Sequence, residues 1–430
     1  MATGRTLAEW LAFIERQHPA SIALGLERVD AVRARLDASF DCPVFTVGGT
    51  NGKGSICAMI DAILRAAGYR VGLYLSPHLL RYNERVRIDG EEASDAALCE
   101  SFAAVERARA DVPLTYFEFG TLSAFWLFAR ARLDAAVLEV GLGGRLDAVN
   151  VVDPDCAVLG AIGVDHIDYL GASRDAIGRE KAGILRAGRP AVVGDPDPPL
   201  SLLDAAAATG VRLLRLGQAY GYEPQGGQWR YWGPSGRRVS LAHPALRGQM
   251  QLANAASAIC ALEALEARLP VSMQDVRRGL ARVTLPGRFQ VLPGRPSVVL
   301  DVAHNPQAAE VLAANLGAAG YARETIAVVG MLADKDIDGV LAALASRVTR
   351  WELASLPEPR GASAAQLEAA LRRAGARAPA ACHASPLAAF RTARERAGDD
   401  DKIVVFGSFL TVGEIASHLE AARNRSAFDG

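Results

Sequence analysis

Residues 44–56 read Val-Phe-Thr-Val-Gly-Gly-Thr-Asn-Gly-Lys-Gly-Ser-Ile, an apolar run that enters a glycine-rich turn and then a helical stretch. That order builds a phosphate site. Glycines let successive backbone N–H groups turn onto an anion, and the N-terminus of the following helix adds its positive dipole end. Lys53 supplies a mobile ammonium for the outer phosphates, and Ser55 a hydroxyl able to ligate Mg2+. The spacing is not the general nucleotide-loop pattern, because Val47 stands where its first glycine belongs and Gly54 separates Lys53 from Ser55. A strand before the turn, a lysine inside it and a serine after it still favour nucleotide binding over an ordinary strand-to-helix connection.

Further polar residues stand where apolar strands end, the edge at which open α/β sheets meet ligands. Glu139 leaves such a run into Val-Gly-Leu-Gly-Gly-Arg-Leu-Asp, residues 140–147. There a carboxylate either holds Mg2+, a hard cation that prefers oxygen, or caps a tight turn. Asp165-His166 follows the run 156–163. A lone histidine is commonly a hydrogen-bonded structural residue, and only its place beside Glu139 in a plausible strand order promotes His166 to a ligand. Lys181 falls in a predicted helix, where a lysine is normally a solvated charge. Ser76 of Ser-Pro-His follows another strand and is either a metal ligand or a helix cap. In the second half, Asp301-Val-Ala-His304-Asn-Pro and Gly407-Ser408-Phe409 also follow strands, where Asp and Ser are ordinary caps as well.

Short Val/Leu/Ile-rich runs at 70–75, 135–140, 156–163 and 191–194 alternate with helical stretches at 56–67, 96–110 and 119–131. This alternation predicts α/β architecture with a mostly parallel sheet. Segments 211–216 and 228–241 read instead as antiparallel hairpin material, and a helix over 251–268 closes the first unit. Pro286-Gly287 and Pro293-Gly294 mark a linker, after which strands recur at 298–302, 325–331, 350–356 and 402–406. The expected organisation is a phosphate-loop domain over 1–284 with an antiparallel subregion, a linker over 285–296, and a smaller Rossmann-like α/β domain over 297–430.

The chain has 430 residues, too many for one typical core. Lys+Arg 47 against Asp+Glu 48 leaves almost no net charge, which argues against a nucleic-acid-coating or membrane-surface protein. Six cysteines are scattered without a CxxC pair, as expected of isolated thiols in a reducing cytosol. Charged Arg5, Glu9, Glu15 and Arg16 interrupt the N-terminal apolar residues, so no signal peptide is expected. Thr6 with Glu9 instead resembles a capping box before the stripe Leu7, Trp10, Leu11 and Ile14. A cytoplasmic protein follows.

Taken together, these residues closely resemble the folylpolyglutamate synthase family, in its bacterial bifunctional form with dihydrofolate synthase activity, within the Mur ligase superfamily. The resemblance runs nearly end to end. It covers His18-Pro19, Leu24-Gly-Leu-Glu-Arg-Val29, the loop Gly49–Ser55, Ser76–Leu79, Glu139–Asp147, Asp165–Gly171, Arg179–Gly183, Pro286–Phe289, Asp301–Pro306 and Gly407–Phe409. It implies ATP-dependent joining of L-glutamate to 7,8-dihydropteroate or tetrahydrofolate through an acyl phosphate, with ATP, two Mg2+ sites and a monovalent cation.

By position, Lys53 would stabilise the transferred phosphoryl group, Ser55, Ser76 and Glu139 would hold one Mg2+, and His166 a second. Lys181 matches a lysine that the family often carries as a carbamate, which turns a cation repelling Mg2+ into a carboxylate-like ligand. Gly49, Thr50, Asn51, Gly52, Lys53, Gly54 and Ser55, with Asn254, Arg288, Asp301 and His304, match nucleotide-contacting positions. Thr115, Phe117, Asp147 and Ala148 match the pterin-holding region, and Ser408 a position near the incoming glutamate. Val302 departs from the commoner glycine of its motif, a change expected to matter little.

Three alternatives remain. A peptidoglycan-building Mur ligase would need an extra domain before the loop, and Gly48 is expected to leave no room for it. A monofunctional folylpolyglutamate synthase shares the same catalytic core. A nucleotide-gated binding protein would keep Lys53 but give Glu139, His166 and Lys181 no purpose. No nucleic-acid or membrane partner is expected, and a monomer is the default.

Overall fold

The computed structural model describes residues 4–428 apart from 21, 237 and 358. Eight strands form the larger sheet: β1 (Val44–Gly48), β2 (Val71–Tyr74), β3 (Val86–Ile88), β4 (Glu91–Glu92), β5 (Ala135–Glu139), β6 (Cys156–Leu159), β7 (Pro190–Val193) and β8 (Arg212–Arg215). Their order is β4-β3-β2-β5-β1-β6-β7-β8. Pairing from β2 to β8 is parallel, and the short β3–β4 hairpin adds an antiparallel edge. Strands β1, β2, β5, β6 and β7 are buried throughout, as parallel strands covered on both faces must be.

Helices Lys53–Ala66, Met250–Ala264 and Met273–Arg282 pack on one face. Helices Leu7–Ile14, Glu27–Leu36, Asp95–Arg109 and Tyr116–Arg130 build the core on the other. The N-terminal capping box is present: Thr6 and Glu9 exchange hydrogen bonds, and Trp10 and Ile14 turn inward.

The segment expected at 211–216 to be hairpin material is β8, a parallel edge strand of the large sheet. Of its four residues only Leu214 is buried, because an edge strand is covered less fully than the strands inside the sheet. The antiparallel subregion is a separate sheet of β9 (Gly221–Gln225), β10 (Gln228–Trp232) and β11 (Arg238–Ala242).

A second sheet contains β12 (Gln290–Leu292), β13 (Ser297–Leu300), β14 (Thr325–Val329), β15 (Arg350–Ala354), β16 (Ala380–His383) and β17 (Lys402–Phe406). Its order is β12-β13-β17-β14-β15-β16, parallel except for β12. The expected linker is therefore partly structured. Gln290–Leu292 pairs back onto β13, because Pro293-Gly294-Arg295-Pro296 makes a turn tight enough for a hairpin. Among the described residues, no helix is long and apolar enough to cross a membrane.

Candidate active site

Strand β1 ends at Gly48, and the phosphate loop begins at once. Gly49 (φ 139°) and Gly52 (φ 88°) adopt backbone conformations that side chains disfavour. Space also demands glycine, since a Cβ at Gly52 would stand 2.6 Å from Asn254 Oδ1. Gly52 then caps the helix Lys53–Ala66, whose free N–H groups open toward the loop. Lys53 Nζ donates to the carbonyls of Gly49 (3.0 Å) and Thr50 (3.1 Å), and Thr50 Oγ1 donates to the Gly163 carbonyl (2.9 Å).

Strand order explains which groups gather here. In the sequence β2-β5-β1-β6, four parallel C-terminal ends lie side by side and deliver Ser76, Glu139, the phosphate loop and Asp165-His166 to one edge. Register fixes the fit, with Val47 paired to Glu139 and Gly48 to Leu159. Glu139 is buried, which pushes its carboxyl pKa up against the opposing charge of Lys53, and Ser76 N–H donates to Oε2 at 2.9 Å. Among the described residues it makes no ion pair.

The donor set of Glu139, Ser55 and Ser76 suits a hard cation, for which the buried carboxylate has no other counter-charge in contact. No group of three or more His, Cys, Asp or Glu side chains capable of caging a metal occurs among the described residues. A cation held here would complete its shell with phosphate oxygens and water, as Mg2+ does.

His166 adopts φ 53°, uncommon for a non-glycine residue, at the turn into the short helix Ile167–Leu170. Burial pushes its pKa down to about 4, so the ring is neutral near pH 7 and keeps a lone pair. Lys181 is not the solvated charge its helix predicts. It is 4 % exposed, donates to the Gly49 carbonyl at 2.9 Å, and burial together with Lys53 lowers its pKa to about 7.

The second sheet faces this edge with its own strand ends. Ends of β13, β17 and β14 bring Asp301, Ser408 and the Asp334–Asp336 loop side by side. Lys53, Ser55, Ser76, Glu139, His166 and Lys181 share one cleft of about 820 Å3 with Asn254, Arg288, Asp301 and His304. Asp301 accepts the N–H groups of Phe289 (2.9 Å) and Ala303 (2.8 Å), which fixes the hinge beside Arg288. The Arg288 guanidinium lies over the Phe409 ring, 5.2 Å from its centre.

The residues matched to pterin and glutamate do not line this cleft. Thr115 and Glu118 form a capping box for the helix Tyr116–Arg130, and the buried Glu118 carboxylate pairs with Arg28 at 2.8 Å. Asp147 accepts the N–H groups of Leu142 (2.8 Å) and Val149 (3.0 Å), Ala148 is buried, and Ser408 caps the last helix through Thr411 N–H. The segments around Phe117 and Asp147 nevertheless meet neighbouring parts of the first domain. Gly25 N–H donates to the Leu146 carbonyl, and the Phe117 ring packs on Gly141, itself a wall of the cleft.

Two residues escaped sequence reasoning, Lys335 in the lining of the cleft and Arg85 outside it. Lys335 ion-pairs with Asp165 at 2.6 Å, and its signal was the charged Asp334-Lys335-Asp336 run directly after a strand. Arg85 is buried between the Tyr82 and Tyr116 rings and donates to His78 Nδ1 at 2.9 Å, with nothing in its spacing to mark it.

Residues 47–262 match the Mur ligase middle domain and residues 287–409 the Mur ligase glutamate ligase domain. A dihydrofolate synthase/folylpolyglutamate synthase of Escherichia coli is 46% identical over 419 residues, covering 97% of this chain and 96% of its own. The chain belongs to this family. A second bifunctional relative, from Haemophilus influenzae, is 40% identical over 96% of this chain and 98% of its own. A monofunctional folylpolyglutamate synthase of Lacticaseibacillus casei is 37% identical over 70% of this chain and 73% of its own.

Solved members of the family share the fold. E. coli FolC in complex with DHPP and ADP superposes with a TM-score of 0.93 at 46% identity, covering 98% of this chain and 99% of that one. A bifunctional enzyme with Mn, AMPPNP and L-glutamate bound gives 0.90 at 48%, covering 98% and 100%.

Proposed function

We propose that the chain is an ATP-dependent ligase that joins L-glutamate to 7,8-dihydropteroate and to reduced folates such as tetrahydrofolate. The observation that carries this is the convergence of Lys53, Glu139, His166 and Lys181 on one cleft that the second domain's strand ends close from the other side. A carboxylate resists amines until one of its oxygens becomes a leaving group. The substrate's carboxylate oxygen therefore attacks the γ-phosphorus of ATP, the bond to the bridging oxygen breaks, and ADP leaves. Lys53, freed from the loop carbonyls, follows the charge on the transferred phosphoryl group. The glutamate amine, having given up its proton, then adds to the acyl carbon, the carbon–oxygen bond to phosphate breaks, and an amide and phosphate result.

Mg2+ supplies charge neutralisation on the β- and γ-phosphates when bound. Ser55, Ser76 and Glu139 are proposed for one ion, and the neutral ring of His166 with a carbamylated Lys181 for a second. The pterin is proposed to lie against Phe117 and the Gly141 loop, near Thr115, Asp147 and Ala148, with Ser408 on the glutamate side. A monovalent cation, a monomer and a cytoplasmic location rest on the family resemblance and on composition.

The bifunctional reading is favoured over a monofunctional synthase by the extent of the match to the bifunctional relatives. Product mass after incubation with ATP, Mg2+, glutamate and either dihydropteroate or tetrahydrofolate tests it. Addition of glutamate to both substrates is expected. Addition to tetrahydrofolate alone selects the monofunctional alternative, and ATP binding without pterin-dependent ADP release removes the ligase reading.

A further inference from the structure

One carboxylate of the first domain collects donors from the second. Asp165 Oδ1 meets Lys335 Nζ at 2.6 Å, while Oδ2 accepts from Asn305 Nδ2 at 3.1 Å and lies 3.5 Å from His304 Nε2. His304 Nδ1 is 2.8 Å from the Val302 carbonyl, so that nitrogen carries a proton, and the Nε2 edge is left to face Asp165. The side chains of both charged partners of the main pair are largely withdrawn from solvent, Lys335 at 7 % exposure and Asp165 at 10 %.

The same asparagine reaches the phosphate loop. Asn305 caps the helix Pro306–Ala318 through Ala308 N–H (2.9 Å), and its Nδ2 also donates to Asn51 Oδ1 (3.2 Å). Asn51 Nδ2 donates in return to Asn305 Oδ1 (3.2 Å) and to Gln307 Oε1 (2.7 Å). A Cβ at Gly163, in the loop after β6, would stand 2.6 Å from Gln307 Oε1, so the Gln307 side chain lies against that loop as well.

We infer that Asp165 is an interdomain latch, and that Lys335 and Asn305 are positioning residues which hold the second domain over the phosphate loop while the amine attacks. The inference rests on the ligase reading above. A buried ion pair roughly breaks even against hydration of the separated charges, so it fixes the register of closure without locking the domains shut. Asn305 belongs both to the latch and to the contact with Asn51, so seating phosphate in the loop and closing the cleft stabilise each other. When the latch fails, the first half-reaction still proceeds, but the acyl phosphate meets water in place of the amine. Its carbon–oxygen bond to phosphate is then hydrolysed, returning the carboxylate and releasing phosphate.

The test measures ADP formed against glutamate ligated in Lys335→Met, with ATP, Mg2+, L-glutamate and dihydropteroate. Wild type is expected to give one ADP per amide. The variant should ligate about a hundredfold more slowly, the order expected from misplaced reacting groups, and should release ADP in excess of amide. Combining it with Asp165→Asn should add little further loss, because both changes break one pair. Small-angle scattering with AMPPNP and Mg2+ should show wild type more compact than Lys335→Met. Should Lys335→Met not fold, Lys335→Gln carries the same expectations.

Three outcomes overturn the latch: ligation within about threefold of wild type at unchanged stoichiometry; losses that multiply in the double variant; or a raised glutamate KM with one ADP per amide, which makes Lys335 a substrate contact. A wild-type chain without pterin-dependent ADP release would instead defeat the ligase reading itself.

Discussion

The ammonium groups of Lys53 and Lys181 donate to the same acceptor, the Gly49 carbonyl, at 3.0 and 2.9 Å. Burial disfavours the charged form of Lys181, and the repulsion of two cations on one oxygen adds to this, so Lys181 loses its proton near pH 7. The neutral amine is the form that adds CO2. Intact-protein mass in bicarbonate buffer is therefore expected to show one added CO2, and activity to fall about tenfold in CO2-depleted buffer.

Linkage gives an independent check on the apo protein without CO2. Unfolded, Lys181 keeps its proton to about pH 10.4, whereas folded it releases it near 7. Between those values the unfolded state binds more protons, so stability rises with pH across the window. Lys181→Met should flatten that slope in urea titrations at about pH 7 and about pH 9. An unchanged slope would place its origin elsewhere.

Glu139→Gln should lose the dependence of turnover on Mg2+ while stabilising the apo fold at neutral pH. Burial raises the carboxyl pKa, so the folded protein holds that proton more tightly than the unfolded chain. The charged form therefore costs stability once pH passes the unfolded value, and the amide does not carry that cost. Metal titrations of rate and thermal melts over a pH series measure both. Identical metal curves would remove Glu139 from the metal site.

Legibility from sequence followed the range of the interactions involved. The phosphate loop was legible because glycine conformation, lysine and helix start are all local, and Gly49, Gly52 and Lys53 behave as their types demand. Glu139 and His166 were legible as strand-end groups, but only the order β5-β1-β6 makes them neighbours. Lys181 was legible only through the family resemblance, because helix periodicity does not tell that its face turns into a cleft. Parallel β8 was misread because Arg212 and Arg215 bracket its leucines, and such a partly exposed edge strand reads like a hairpin strand. Lys335 and Arg85 stayed hidden because their partners, Asp165 and His78, become neighbours only through loop geometry.

Gly141→Ala tests the proposed pterin wall. A Cβ there would stand 2.5 Å from the Phe117 ring, which is held from behind by Tyr74 with ring centres 6.1 Å apart. The ring must shift, at a cost of about 1–3 kcal/mol in stability. The KM for dihydropteroate should rise with the KM for ATP unchanged. Equal increases in both would show that the Gly141 loop serves the nucleotide side alone.

Lys53→Ala separates chemistry from architecture in the loop itself. Its ammonium donates only to the Gly49 and Thr50 carbonyls, while the loop is held independently by Thr50 N–H on the Ala161 carbonyl and by Thr50 Oγ1 on Gly163. Removing the side chain should therefore leave the melting temperature nearly unchanged and relieve the repulsion on Lys181, whose pKa should move back up. Turnover should fall about a thousandfold, because the transferred phosphoryl group loses a cation that no neighbour replaces. Circular dichroism melts and single-turnover ADP formation read the two effects separately. A variant that melts early would give Lys53 a structural role, and one that keeps its single-turnover rate would leave the phosphoryl group to other charges.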